Sequence, residues 1–482
     1  MTARAAGEVQ APPAITWPPL LAVFVGVFMA IMDGSIVVVA APAIQRDLHA
    51  TDAGIQFTLA GYTLTYAVTL VIGGRLGDHL GRRRVFVLGV SVFTLASAAC
   101  GLAPTQSVLI IARLVQGVGA ALLFPQAFST IQVLVPPRAR PRAFGALAVA
   151  MGSSTLVGQL LGGLLVQLDL GGLSWRPVFL INLPLGVLTV LAAYRLLPES
   201  KAPRSKRLDL AGSAVLAVAL FLLVLPLIQG RQLGWPWWVW ACFAGAAVAL
   251  AVFARVERRV AARAGSPLVD FALFRNAAFT VGLIVVGLWY TSINSFFLVL
   301  ALLLQDGYGL GALQSGLVFA PFAVVFVLSS LLTARLAGRL GIARLFLGVS
   351  VSTVAFALMT AFSLGFGANP RAVALIPLLV LMAVGNGFFQ TPLLNAVLEP
   401  VSDEHIGTAS GLLSTAQQVG MSLGVALIGV VFYSVLGGAA RGDHQRWAAA
   451  FAAGTGFTGA VALCCLVLLT ALRRATRAAE RS

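Results

Sequence analysis

Charge is scarce in this chain of 482 residues: Asp, Glu, Lys and Arg together make up 10% of it, against about 25% in a soluble protein. A water-facing surface of ordinary composition is therefore excluded. Acids are the rarer sign, 16 against 32 Lys and Arg. Cysteine and histidine number four each. Cys100, Cys242, Cys464 and Cys465 all lie in apolar runs and read as small hydrophobes, so no disulfide framework is expected. His49, His79, His405 and His444 are scattered without a pair at ligand spacing, and no metal site is expected. No Gly-Lys-Ser or Gly-Lys-Thr triplet occurs, which excludes a Walker-type nucleotide loop. The expectation is a protein without a cofactor, driven by a gradient or by a partner.

Apolar sequence fills the space instead. Hydrophobic residues make up 59% of the total and the mean hydropathy is +0.96. Fourteen runs reach the roughly 20 residues that cross ~30 Å of hydrocarbon, which predicts an all-α polytopic membrane protein. The first run is too long for a cleavable signal peptide. An even number of spans puts both termini on one side. Of the 32 basic residues, 25 fall on that side, six on the other, and Arg113 lies within a span. The positive-inside rule then places both termini in the cytoplasm. The net charge of +16 is explained by topology and by contact with anionic lipid, so no nucleic-acid partner is expected.

The densest charge is Gly73-Gly74-Arg75-Leu76-Gly77-Asp78-His79-Leu80-Gly81-Arg82-Arg83-Arg84, which reads as a tight loop at the membrane face. A weaker copy without the acid runs from Arg335 to Arg344, 260 positions later. Gly145, Gly158 and Gly162 match Gly407, Gly420 and Gly424 at an offset of 262. Both pairs predict a duplicated protein: a tail over 1–18, a six-helix bundle over 19–200, a linker with an extra hairpin over 201–263, a second six-helix bundle over 264–472, and a tail over 473–482. Parallel halves of this kind are a recurrent plan of secondary transporters.

Asp33 is the one acid well inside a span and Arg113 the one base. A charge in hydrocarbon costs about 2.5–3.5 kcal/mol on insertion scales and marks a pathway or relay. At ~1.5 Å per residue they lie about 12 Å and about 10 Å below the outer surface. That similar depth predicts a pair whose carboxyl is easily tipped between ionised and protonated forms. Gln56, Tyr62, Gln116, Gln126, Tyr290, Asn294, Asn386 and Gln390, with Phe297, are expected to give a roomy apolar cavity a few polar handles. Gly152, Gly158, Gly162 and Gly163 permit close helix contact where the halves would rock.

The loop from Gly74 to Arg84 resembles the signature between the second and third helices of the major facilitator superfamily. Arg113 to Gly119 resembles its fourth-helix signature, and the glycines from 152 to 163 its antiporter signature. Met32-Asp33 to Pro42, Trp175-Arg176-Pro177-Val178-Phe179-Leu180-Ile181-Asn182-Leu183-Pro184 and the fourteen spans resemble the fourteen-helix drug:proton antiporters. The resemblance implies proton-coupled export of small hydrophobic drugs or metabolites by alternating access, from a monomer in the inner (plasma) membrane. It also implies a cytoplasmic gate at Gly74, Gly77, Asp78, Gly81 and Arg82, with Asp78 facing the start of the eleventh core helix near Ile406 and Gly407. Gln159 departs from the antiporter signature, which carries proline there. Asp33 stands alone among membrane acids, so neutral or singly charged lipophilic compounds fit better than dications. The other readings are an exporter dedicated to one endogenous product, a solute importer, and a membrane enzyme acting on lipids, which lacks the clustered acids or histidines it would need.

Overall fold

A polypeptide that crosses hydrocarbon must satisfy every backbone group internally, and helices do so within one segment. The computed structural model describes residues 16–136, 139–201, 210–262, 271, 273–366, 372–399, 401, 406–440 and 443–479. Residues 1–15 of the expected N-terminal tail and 202–209 of the expected linker before the hairpin lie outside these residues. Among the described residues the secondary structure is helical, without strands. The helices are α1 (Trp17–Asp47), α2 (Asp52–Leu80), α3 (Arg82–Gly101), α4 (Gln106–Leu134), α5 (Arg140–Leu168), α6 (Pro177–Leu180), α7 (Asn182–Leu196), α8 (Leu210–Gln229) and α9 (Trp237–Ala262). They continue as α10 (Ala277–Leu302), α11 (Ala312–Arg335), α12 (Ala337–Leu340), α13 (Ala343–Phe366), α14 (Ile376–Leu398), α15 (Ile406–Leu436) and α16 (His444–Ala479). Thirteen spans are long and apolar enough to cross a membrane, and α2, bent by 48° around residue 71, makes a fourteenth.

Helices α1–α7 and α10–α16 form two bundles of six spans, with α6 and α7 together making one span from Pro177 to Leu196. The same contacts recur in both. Gly89 of α3 faces Gly119 of α4, where an added Cβ would stand 2.7 Å from the Leu123 nitrogen. Gly348 of α13 faces Gly385 of α14, where it would stand 2.7 Å from the Phe388 carbonyl carbon. Only glycine lets the backbones cross this closely. Likewise Gly158 and Gly162 seat α5 on α1, while Gly420 and Gly424 seat α15 on α10.

One expectation is corrected. Gly73 to Leu80 is not a tight loop but the bent end of α2, and the reversal falls on a single residue, Gly81, at φ 110°. A left-handed glycine turns the backbone without the Cβ penalty, so a longer loop is unnecessary. Gly341, at φ 49°, stands at the corresponding place before α13.

The bundles meet along α2–α15, α5–α11 and α1–α10. Several ties sit towards the face away from the termini. Gln305 Nε2 donates to the Val39 carbonyl at 2.8 Å, Arg46 stands 3.9 Å from Asp306, and Gly163 of α5 lies against the Ala312 backbone of α11. A π-helical turn at Leu303–Gly307 ends α10 and brings Gln305 and Asp306 to these partners. The α8–α9 hairpin leans through α8 on both α2 and α15. Its tip residue Arg231 reaches Asp52 at 3.2 Å and the Tyr433 carbonyl at 3.4 Å, one on each bundle.

Candidate functional site

The first bundle holds a fully buried charged cluster. Asp33, at the middle of α1, is 0% exposed and Arg113 of α4 is 1% exposed. Their side chains form an ion pair between Oδ2 and Nη1. A buried carboxylate is tolerated only when its remaining lone pairs are also satisfied. Gln116 Nε2 and Asn182 Nδ2 do so, each donating to Asp33 Oδ1 at 2.9 Å. The helix spacing from Arg113 to Gln116 puts both on one face of α4, where Nη1 also donates to Gln116 Oε1 at 2.8 Å. Arg113 Nε donates to the Thr58 carbonyl at 3.1 Å. Its guanidinium lies 4.2 Å from the centroid of the Tyr62 ring, whose hydroxyl donates to the Ala30 carbonyl at 3.0 Å. The flat, permanently charged fork of arginine matches this arrangement; a lysine would supply a compact point charge without the planar fork.

The structure therefore brings Asp33, Arg113, Tyr62 and Gln116 together. Gln116 belongs to the carboxylate rather than to an open cavity wall. Thr58, Ser97, Cys100 and Asn182 complete the cluster; the sequence marks Cys100 only as a small hydrophobe and Asn182 only as part of the stretch from Trp175 to Pro184, and neither Thr58 nor Ser97 stands out in it. Asn182 begins α7 about 8 Å into its span at ~1.5 Å per residue, close to the depths of Asp33 and Arg113, and that depth was its available signal.

Other expected cavity residues are dispersed. Gln126 is 1% exposed and donates to the Gly73 carbonyl at 2.8 Å, locking α4 to α2. The Gln56 carboxamide covers Gly429 in the α2–α15 contact, with its Oε1 buried and unpartnered. In the second bundle Gln390 Nε2 donates to the Tyr290 hydroxyl at 2.7 Å, joining α14 to α10. Asn386 donates to the Met382 carbonyl of its own helix at 3.0 Å, and Phe297 packs on Phe319 and Phe322. Asn294 is partly buried.

At the terminus side, Asp78 pairs with Arg82 at 3.0 Å, and Gly77 lies beneath the Gln126 carboxamide. Gly74 faces Pro125. Glu199, just beyond α7, accepts from the Arg83 amide at 3.2 Å and stands 3.6 Å from Arg84. Arg82 N donates to the Ser200 carbonyl at 3.0 Å. This anchoring of the turn by the end of the sixth span was not anticipated. Residues 402–405, just before the helix start set opposite Asp78, lie outside the described residues.

The glycines of α5 divide. Gly158, Gly162 and Gly163 are in close contact with α1 or α11, whereas a Cβ on Gly152 would meet nothing within 4 Å. Packing does not account for Gly152. Gly152→Ala is expected to hold or raise the unfolding temperature of the detergent-purified protein, since alanine is favoured over glycine within a helix by about 0.5–1 kcal/mol. Gly158→Ala is expected to lower it, because its Cβ would stand 2.8 Å from the Met32 carbonyl oxygen.

The sequence profile of the Major Facilitator Superfamily matches residues 23–425. The protein is 37% identical over 434 residues to the probable actinorhodin transporter of Streptomyces coelicolor, covering 89% of this sequence and 75% of that one. It is 33% identical to the tetracenomycin C resistance and export protein of Streptomyces glaucescens, over 87% of this sequence and 77% of the relative. Identity to the puromycin resistance protein of Streptomyces alboniger is 34%, over 95% and 90%. Among solved structures, a bacterial homolog of the human lysosomal transporter Spinster, inward-facing and unoccupied, aligns at a TM-score of 0.67 with 17% identity, over 95% of this protein and 96% of that one.

Proposed function

This protein belongs to the major facilitator superfamily, and from that premise we propose that it is a proton-coupled exporter of hydrophobic drugs or metabolites working by alternating access. The observation that carries the reading is the buried Asp33–Arg113 pair. A carboxyl held away from water beside a cation that cannot lose its proton is a place where one proton changes the local charge from zero to +1. That change alters how α1 and α4 hold together, which is what coupling requires. Relatives named for transport of, or resistance to, actinorhodin, tetracenomycin C and puromycin support export of lipophilic compounds as the direction and class.

Both termini lie in the cytoplasm and the protein sits in the plasma membrane as a monomer, without a cofactor and without enzymatic activity. The basic excess at the terminus side supports this orientation. The ties among Val39, Gln305, Arg46 and Asp306 then belong to the outer gate, and the Gly81 turn to the inner one.

Everted vesicles containing the protein, supplied with ethidium and an imposed proton gradient, test the reading. Uphill ethidium accumulation is expected, and a protonophore is expected to abolish it. Accumulation that persists with protonophore, or proton-driven loss of ethidium from the vesicles, would overturn the proposal.

A further inference from the structure

Every group now in contact with the Asp33 carboxyl donates a hydrogen bond to it. Oδ2 accepts from Arg113, and Oδ1 accepts from Gln116 and Asn182. This shell fits a carboxylate and leaves no place for a carboxylic O–H, which is itself a donor. A protonated Asp33 therefore needs an acceptor. Gln116 Oε1 is already taken by Arg113 Nη1 at 2.8 Å and Cys100 Sγ at 3.7 Å, and the Thr58 carbonyl by Arg113 Nε. Asn182 Oδ1 is buried and has no partner, on a residue 0% exposed.

The present orientation of Asn182 follows from the bonds around it. Ser97 Oγ donates to the Phe179 carbonyl at 2.9 Å, so it can only accept from Asn182, at 3.0 Å. The amide must then present its nitrogen to both Ser97 and Asp33. Resting on the reading of Asp33 as proton carrier, we infer that Asn182 is a two-way hydrogen-bond partner: it donates to the carboxylate, and it turns its carboxamide to accept from the protonated acid.

In the forward step a hydronium ion gives a proton to Asp33 Oδ1: one O–H bond of the hydronium breaks, leaving water, and one O–H bond forms on the carboxyl. Asn182 rotates its terminal group so that Oδ1 accepts the new O–H. The Ser97 hydroxyl swings from the Phe179 carbonyl to the same Oδ1. Release of the proton to water on the other face reverses each move, and Arg113 stays charged throughout. Phe179 lies in α6 and Asn182 opens α7, within the one span Pro177–Leu196. Protonation on α1 thus reaches the sixth span through two rotors. Among the described residues, the titratable groups facing Asp33 are Arg113 from α4, Tyr62 from α2 and Cys100 from α3. Helix α5 meets α1 here through Gly158 and Gly162.

Difference infrared spectra of the full-length protein in lipid, recorded across a pH titration with carbon-labelled aspartate or asparagine, test the inference. On acidification a carboxylic C=O band of Asp33 is expected together with a downshift of one asparagine carboxamide band, at a shared midpoint. Both changes should vanish in Asp33→Asn. Asn182→Ser keeps a donor and an acceptor; it should retain the Asp33 band, lose the asparagine change and recover most of the ethidium export that Asn182→Leu loses by about tenfold or more. An Asp33 band that titrates with no asparagine shift would overturn the role of Asn182, as would an asparagine shift that survives in Asn182→Ser. A different failure is distinguishable: no Asp33 band at any pH, with uphill export intact, would remove the reading of Asp33 itself.

Discussion

The Asp33→Asn protein is expected to lose uphill ethidium export completely and to be less stable by about 3–5 kcal/mol, because the change strands a buried arginine. Arg113 cannot shed its charge in compensation. Truncating the other partner in Arg113→Met should cost a similar amount, since it leaves the carboxylate buried without its cation, although this group can neutralise itself by taking a proton. The double variant Asp33→Asn/Arg113→Met carries no buried charge. It should regain most of the lost stability while remaining inactive, so that folding and coupling separate. Chemical denaturation of the purified proteins and gradient-driven export in everted vesicles provide the two measurements. Uphill export by the double variant would show that the coupling proton travels elsewhere. Strictly additive losses would show that the two side chains do not act as a pair.

The second large effect is expected at Gly163. A Cβ there would stand 2.6 Å from the Ala312 carbonyl oxygen and 3.0 Å from the Leu313 Cα, both backbone atoms of the opposite bundle. On the facing helix, Gly316 meets the Gln159 carbonyl in the same way, at 3.0 Å. Gly163→Leu should therefore hold apart the ends of α5 and α11 that lie away from the termini. Overpacking costs about 1–3 kcal/mol. Because the strain falls only on the arrangement in which these ends are closed, it moves the conformational equilibrium by about tenfold for each ~1.4 kcal/mol. Export is expected to fall by at least about tenfold with protein levels maintained. Spin labels at the exposed positions Leu168 and Leu317 should report a wider separation than in the unmodified protein. An unchanged distance distribution alongside lost export would show that Gly163 acts through the stability of its own bundle.

Much of this architecture was legible from hydrophobic run length, because hydrocarbon permits so few ways of hiding a backbone. The offset glycines foretold the duplicated helix contacts, since Gly158 and Gly420 occupy matching crossings. The second glycine pairing, Gly89 with Gly119 and Gly348 with Gly385, escaped notice because its two members lie on different helices and show no local spacing. Depth along a helix was enough to match Asp33 with Arg113. It did not separate cavity from seam, because depth says nothing of azimuth. Gln126 and Gln116 share one helix, yet one locks onto the Gly73 carbonyl while the other serves Asp33. Glu199 was hidden for a related reason: 116 residues separate it from the Arg83 amide it caps.

The extra hairpin has a consequence for the symmetry of the lipid-facing surface. Two lateral seams separate the bundles, α2–α15 on one flank and α5–α11 on the other. Helix α8 lies across the first, fastened at its tip by Arg231 to Asp52 and to the Tyr433 carbonyl. That flank therefore presents a third wall towards the lipid, whereas at the α5–α11 seam, held by the close contacts of Gly163 and Gly316, the two bundles meet directly. The insertion makes the transporter one-sided in the plane of the membrane, although the two bundles that flank it repeat each other.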